Sequence, residues 1–230
     1  MNLSVLIPVY NERNTIEKVL EEVKRVPVGK EIIVIDDGST DGTSRILEDI
    51  QKNDKNIRMI FLGKNRGKGY AVRRGLKEAK NDFVIIQDAD LEVNPMDYLR
   101  LIEMAERKNC VVVYGSRFLG NKKISLPLLS LLANKLLTFM TNLLFNARLS
   151  DMETCYKLCS RKLLQSLNLT AKGFEIEPEI TCKILKKGYK IQEVPIDYMP
   201  RSREKGKKIG WKDGFKALFS IMRYRIISDD

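Results

Sequence analysis

Residues 82–95 read DFVIIQDADLEVNP: a short apolar run, acids at 88, 90 and 92, then Asn94-Pro95. An apolar run of strand length bounded by turn residues predicts a buried strand. The Asp and Asn residues that follow suit a surface turn or a helix cap. Carboxylates two residues apart on an extended segment also leave on the same side, so Asp88, Asp90 and Glu92 equally suit hard-oxygen coordination of Mg²⁺ or Mn²⁺. The stretch alone supports both readings.

The flanking sequence decides between them. LSVLIPV (3–9), EIIVIDD (31–37), IRMIFL, FVIIQ and VVVYG (111–115) are strand-like apolar runs. Between them lie segments with helical apolar spacing: TIEKVLEEVKRV (15–26), SRILEDIQKN after an Asp41-Gly42-Thr43 start, GYAVRRGLKEAK and MDYLRLIEMAERK. Regular alternation of this kind predicts an α/β fold, with a mostly parallel, Rossmann-like sheet and helices on both faces. Ligands of such sheets bind beyond the carboxyl ends of the strands. Pro8–Glu12, Asp36–Ser39, Asp88–Asp90 and Gly115–Arg117 all occupy those ends. Four polar strand ends on one rim, three of them acidic, put the metal reading ahead of the plain turn.

The chain of 230 residues suits one domain, and 43% apolar with 31% charged residues suits a real core. Lys and Arg outnumber Asp and Glu 41 to 30, a net charge of +11, so the surface attracts anions. Nucleic acid is not expected as a partner, because no recognition motif accompanies the charge and acids ring the cleft. Cys110, Cys155, Cys159 and Cys182 lack paired spacing and histidine is absent, which argues against zinc and for reduced thiols in a cytosolic chain. Met1 leads directly into the first strand with no basic leader, so no signal peptide is expected. Residues 124–147, ISLPLLSLLANKLLTFMTNLLFNA, are long enough to span a bilayer, but Lys135 and three asparagines interrupt them. They predict a helical hairpin or a long helix lying in the membrane interface. Beyond them, FEIEPEITCKILKKG reads as a helix, KIQEVPIDY as a strand and GFKALFSIMRYRII as an amphipathic basic tail. Arg201, Arg203, Lys205, Lys207 and Lys208 among glycines predict a mobile cationic loop.

IPVYNE (7–12), IDDGSTDGT (35–43), NRGKGYA (65–71) and DADLEVNP (88–95), in this order, resemble inverting glycosyltransferases of family 2 with a GT-A fold. Gly115-Ser116-Arg117 and EVPIDYMPR (193–201) are most similar to polyprenyl-phosphate sugar synthases of the dolichyl-phosphate mannose synthase kind. The resemblance implies a single glycosyltransferase domain over 1–230, in which 1–120 binds the nucleotide sugar and 121–230 faces the acceptor and the membrane. It implies that Pro8, Tyr10, Glu12, Ile35 and Asp37 hold the nucleotide. Asp88 and Asp90 would bind the metal and the donor diphosphate, helped by Glu92 and the backbone at Ala89. Arg117, Arg201 and Lys208 would grip phosphate, with Lys207 a substitute for Lys208. Asp90, Arg117 and Asp151 would form the catalytic set.

Two departures from the pattern are Glu92 with Asn94-Pro95, where a Gln and a His-Pro or Pro-Pro is usual, and Glu153-Thr154-Cys155-Tyr156-Lys157, where a T-S-G-F-R run is usual. The expected reaction is metal-dependent, inverting transfer of a hexose from a nucleotide sugar of the GDP-mannose or UDP-glucose type to a polyprenyl phosphate. The expected setting is the cytoplasmic face of the membrane, where a membrane protein is a possible partner. A phosphate monoester, with a second pKa of about 6, arrives ionised and needs no general base, so the absence of histidine is no handicap. The alternative acceptor is a hydroxyl on a glycan or small molecule. Asp151 or Glu177 would then serve as base, although Glu177 is expected on a helix surface.

Overall fold

The computed structural model describes residues 1–120, 126–201 and 211–226. The first half alternates as expected: β1 (Leu3–Val9), α1 (Ile16–Arg25), β2 (Lys30–Asp36), α2 (Thr43–Asn53), β3 (Ile57–Phe61), α3 (Lys68–Glu78), β4 (Phe83–Ile86), α4 (Tyr98–Lys108) and β5 (Val112–Ser116). A 3-10 turn at Pro95–Asp97 precedes α4, and the Asn94 side chain caps it by accepting from Met96 N at 3.0 Å. The second half adds α5 (Leu128–Phe145), β6 (Lys157–Ser160), α6 (Arg161–Ser166), α7 (Ile176–Lys186), β7 (Gln192–Pro195) and α8 (Trp211–Ile226).

The seven strands lie in the order β3-β2-β1-β4-β6-β5-β7. Parallel pairing joins β3, β2, β1 and β4, and also β5 and β7. The sequence pattern does not show β6, a four-residue strand antiparallel to both β4 and β5. It separates two strands that the alternation alone would make neighbours.

Side-chain alternation along the strands builds two cores. Leu3, Val5, Ile7 and Val9 of β1 face α1 and α4, meeting Ile16, Val19, Val23 and Leu101. Leu6, with Ile33, Ile35, Val84 and Ile86, faces the other way toward α3, α6 and α7. Gly75 lets α3 lie close to the sheet, since a Cβ there would come 2.7 Å from Ile35 Cδ1.

The described part of the apolar stretch, 126–147, holds one helix, α5, the second of the two expected forms. Among the described residues α5 is the one helix long and apolar enough to cross a membrane by length and composition. Its inner face packs Leu137 on Met152, Ile221 and Tyr224 of a third, smaller core. Its outer face leaves Leu128, Leu132, Leu136, Phe139 and Leu143 exposed, steps of three and four that form one stripe. On α8 the residues Phe215, Phe219, Met222 and Ile226 form a second exposed stripe.

Candidate active site

Register brings the strand ends together. Val9 pairs with Asp36, and β1 also pairs with β4, so the segments after all three open on one rim. Pro8 lies opposite Ile35 inside the sheet. After β1, Asn11 turns the chain at a φ of 52°, and Glu12 N donates to Thr43 Oγ1 at 2.9 Å. Thr15 Oγ1 links this turn to the next strand end, lying 2.8 Å from Glu12 Oε2 and 2.7 Å from Ala89 O. Tyr10 lies on the same turn.

After β2, Asp36 accepts from the hydroxyls of Ser39 and Ser44. Asp37 accepts from the backbone N–H groups of Arg66 at 2.8 Å and Gly67 at 2.7 Å. Burial pushes the Asp37 carboxyl up, and those two N–H groups partly offset it. Asp37 thus braces the NRGKG loop. Gly67 is required at its bend: φ is +97°, and a Cβ would meet Lys172 O at 2.3 Å.

That loop delivers Lys68 to the acids. Its Nζ lies 2.7 Å from Asp88 Oδ1 and 2.9 Å from Glu177 Oε1. Burial alone would lower the pKa of this ammonium, but the carboxylates of Asp88 and Glu177 outweigh it and hold the pKa above the usual lysine range. Glu177 also pairs with Lys157 at 2.5 Å. The expected surface position of Glu177 is therefore corrected: it is 4% exposed, because two lysines from α3 and β6 neutralise it. Lys68, Lys157 and the burial of Glu177 escape sequence reading. The one available signal is Lys68 within NRGKGYA.

The turn after β4 is held from below. Gln87 is fully buried, and its Oε1 accepts from Tyr98 OH at 2.5 Å and Tyr156 OH at 2.7 Å. Above it, Leu91 takes a φ of 62°, a left-handed conformation that costs a non-glycine residue roughly 1–2 kcal/mol. Asp90 Oδ1 accepts from Glu92 N at 3.1 Å, closing the turn.

The C-terminal segment crosses this turn. Tyr198 pairs with Val93 in an isolated bridge. Glu92 accepts from Tyr198 OH at 2.6 Å and from Arg201 N at 2.9 Å. The Arg201 guanidinium forks onto both Glu12 oxygens at 3.0 Å and lies 3.5 Å from Asp90 Oδ2. The structure brings Glu12, Asp90, Glu92 and Arg201 together, with Glu92 turned to the crossing segment. Among the described residues no group of three or more acids, cysteines or histidines converges as a metal cage. Lys207 and Lys208 lie outside the described residues.

Arg117 follows β5. Its Nε and Nη2 reach the two oxygens of Asp151 at 2.7 Å each, and its backbone N–H reaches Asp151 Oδ2 at 2.9 Å. Asp151 is fully buried, so this is a bidentate pair shielded from water. Burial would lower the Arg117 pKa, but the Asp151 carboxylate more than compensates and keeps the charge fixed. The guanidinium also stacks on Tyr198, 5.3 Å from the ring centre. Glu193 fixes the loop behind it by accepting from Ser150 N and Asp151 N.

The sequence profile described as “Glycosyl transferase family 2” matches residues 4–167. An uncharacterized protein of Methanocaldococcus jannaschii is 32% identical over 84% of this chain and 87% of its own length. A dolichol-phosphate mannosyltransferase of Pyrococcus furiosus is 29% identical over 97% of this chain, and glycosyltransferase AglJ of Haloferax volcanii is 27% identical over 86%. This chain spans 62% and 63% of those two proteins. Among solved structures, glucosyl-3-phosphoglycerate synthase of Mycobacterium tuberculosis, crystallised with Mn²⁺, uridine diphosphate and phosphoglyceric acid, superposes with a TM-score of 0.72. It covers all of this chain at 20% identity, a likeness of fold.

Proposed function

This chain belongs to glycosyl transferase family 2, and from that premise we propose that it transfers a hexose, with inversion, from a nucleotide sugar to a polyprenyl phosphate. The observation that carries this reading is the meeting of two charge types on one rim. Asp88 and Asp90 lie on one side, and Arg117, rigidly paired with Asp151, lies on the other. Pro8, Tyr10, Glu12 and Asp37 form the nucleotide end, whereas Ile35, expected there, is fully buried beneath α3 and supports the sheet from below. Arg117 and Arg201 meet the acceptor phosphate.

Asp88 and Asp90 suit Mg²⁺ or Mn²⁺. Both offer hard oxygens, and each already lies against a cation, Lys68 or Arg201, so both are arranged to be charge-balanced. Two protein carboxylates are the number expected of a metal that completes its shell with phosphate oxygens and water. When bound, the metal neutralises charge building on the leaving diphosphate. Arg117 supplies orientation and a preset positive field, and Asp151 positions it. Both oxygens of Asp151 accept from Arg117 and Glu177 is held by two lysines. Neither is placed as a base, which favours a phosphate acceptor over a hydroxyl.

The test is a screen of UDP-glucose and GDP-mannose against polyprenyl phosphate with Mn²⁺ or Mg²⁺, reading lipid-linked sugar. Transfer to soluble hydroxyl acceptors with no lipid product would overturn the acceptor.

The apolar stripes of α5 and α8, beside Lys135, Lys216, Arg223 and Arg225, suit an anionic lipid surface on the cytoplasmic side. Flotation with anionic liposomes should show binding that weakens as salt screens the basic residues but persists in part through the stripes. Full resistance to alkaline extraction would instead mean that α5 spans the bilayer.

A further inference from the structure

Two buried side-chain oxygens lack a hydrogen-bond partner among the described residues, Glu153 Oε1 and Glu177 Oε1. Glu177 Oε1 lies 2.9 Å from the Lys68 ammonium, so its charge is met. Glu153 Oε1 has no such contact. A buried acceptor left unmet costs about 1–3 kcal/mol, so a donor that meets it stabilises the site by a comparable amount.

The position is held in place from both sides. Upstream, Glu193 ties down Ser150 and Asp151. Downstream, Thr154 Oγ1 is bonded to Gly115 O and Lys157 reaches Thr154 O. The charged groups around Glu153 are Lys157, Glu177, Arg117 and Asp151. Along the chain it lies between Asp151, which pairs with Arg117, and Lys157, which pairs with Glu177. Burial pushes its carboxyl up to about 7.

Three ligand chemistries could meet the oxygen. A phosphate is disfavoured, since two acids beside Glu153 would repel it. A cation is redundant, since Lys157 and Arg117 are already there. A hydroxyl fits, because it donates one hydrogen bond and brings no charge. We infer that Glu153 is a specificity-determining residue whose carboxyl accepts a hydrogen bond from a hydroxyl of the donor's sugar. The inference rests on the proposed reaction, in which the sugar must lie between the diphosphate at Asp88 and Asp90 and the acceptor phosphate at Arg117.

Calorimetry in Mn²⁺ tests it by comparing UDP-glucose with UDP and GDP-mannose with GDP, so that each pair isolates the contribution of the sugar. Glu153→Ala should lower the sugar's contribution about tenfold to a hundredfold while leaving UDP or GDP affinity unchanged. Its thermal midpoint should hold or rise, since an unmet buried acceptor is removed. Glu153→Gln, whose amide oxygen still accepts, should recover part of the loss. An Ala variant that keeps the full sugar contribution overturns the inference, and so does a Gln variant with a lowered thermal midpoint, which makes the residue structural. Wild-type protein that binds neither UDP nor GDP would remove the proposed reaction itself, a different failure from a variant effect that is missing.

Discussion

Asp90→Asn is expected to lower sugar transfer by about a thousandfold with little change in thermal midpoint. The carboxylate's partners in the free protein are the backbone N–H of Glu92 and the more distant Arg201. An amide oxygen can still accept from Glu92 N, so the turn should survive. What the amide cannot supply is the negative charge that the proposed metal and donor diphosphate require there. The effect should therefore fall on turnover, measured at saturating donor and Mn²⁺. Restoration of the wild-type rate by excess Mn²⁺ would show that Asp90 only tightens metal binding and would sink this assignment.

Replacing Arg201 with Ala should separate two consequences that one side chain now combines. Arg201 forks onto Glu12 and lies against Asp90, so in the free protein it stands where added positive charge would otherwise be welcome. Glu12 is mostly buried, and removing its partner leaves a carboxylate with less compensation, a costly state. The variant should melt earlier without metal, and Mn²⁺ with UDP or GDP should raise its midpoint more than that of wild type. Transfer to polyprenyl phosphate should nevertheless fall about a hundredfold, because the proposed charge-assisted contact to the acceptor phosphate would be gone. Wild-type transfer by this variant would remove the acceptor role from Arg201. An unchanged response to metal would remove its competition for the acids.

The parallel part of the sheet is legible because β1, β2 and β4 are buried on both faces and read as unbroken apolar runs. Asp88, Asp90 and Arg117 are legible because strand ends are where an α/β sheet displays function. The strand β6 is not legible: it has four residues, KLCS, and begins with a lysine. Lys157 is buried against Glu177, twenty residues on, and no local pattern encodes that pair. The same limit hides Glu177, whose helix carries charges at 177, 179, 183 and 186 and so reads as wet. Lys68 is visible as a motif letter, yet its pairing with Asp88 depends on how α3 docks. Glu153 is visible as a departure from a pattern, but its unmet oxygen appears only in three dimensions.

The insertion of β6 between β4 and β5 also bears on the order in which the protein can assemble. Val84 on β4 pairs with Cys159, 75 positions later, and Val112 on β5 pairs with that same Cys159. While the chain emerges from the ribosome, β4 therefore has one open side, and β5 has no seat in the sheet until residue 160 has been made. Pairings across such separations carry a large loop-closure cost and form slowly. A fragment ending at residue 120 would display the unpaired backbone of β4 beside Val84 and Ile86, a template for association with other copies. The proposed boundary between a nucleotide-binding half and an acceptor half is therefore not one between separately folding pieces, and cutting the gene there should yield aggregates rather than two working pieces.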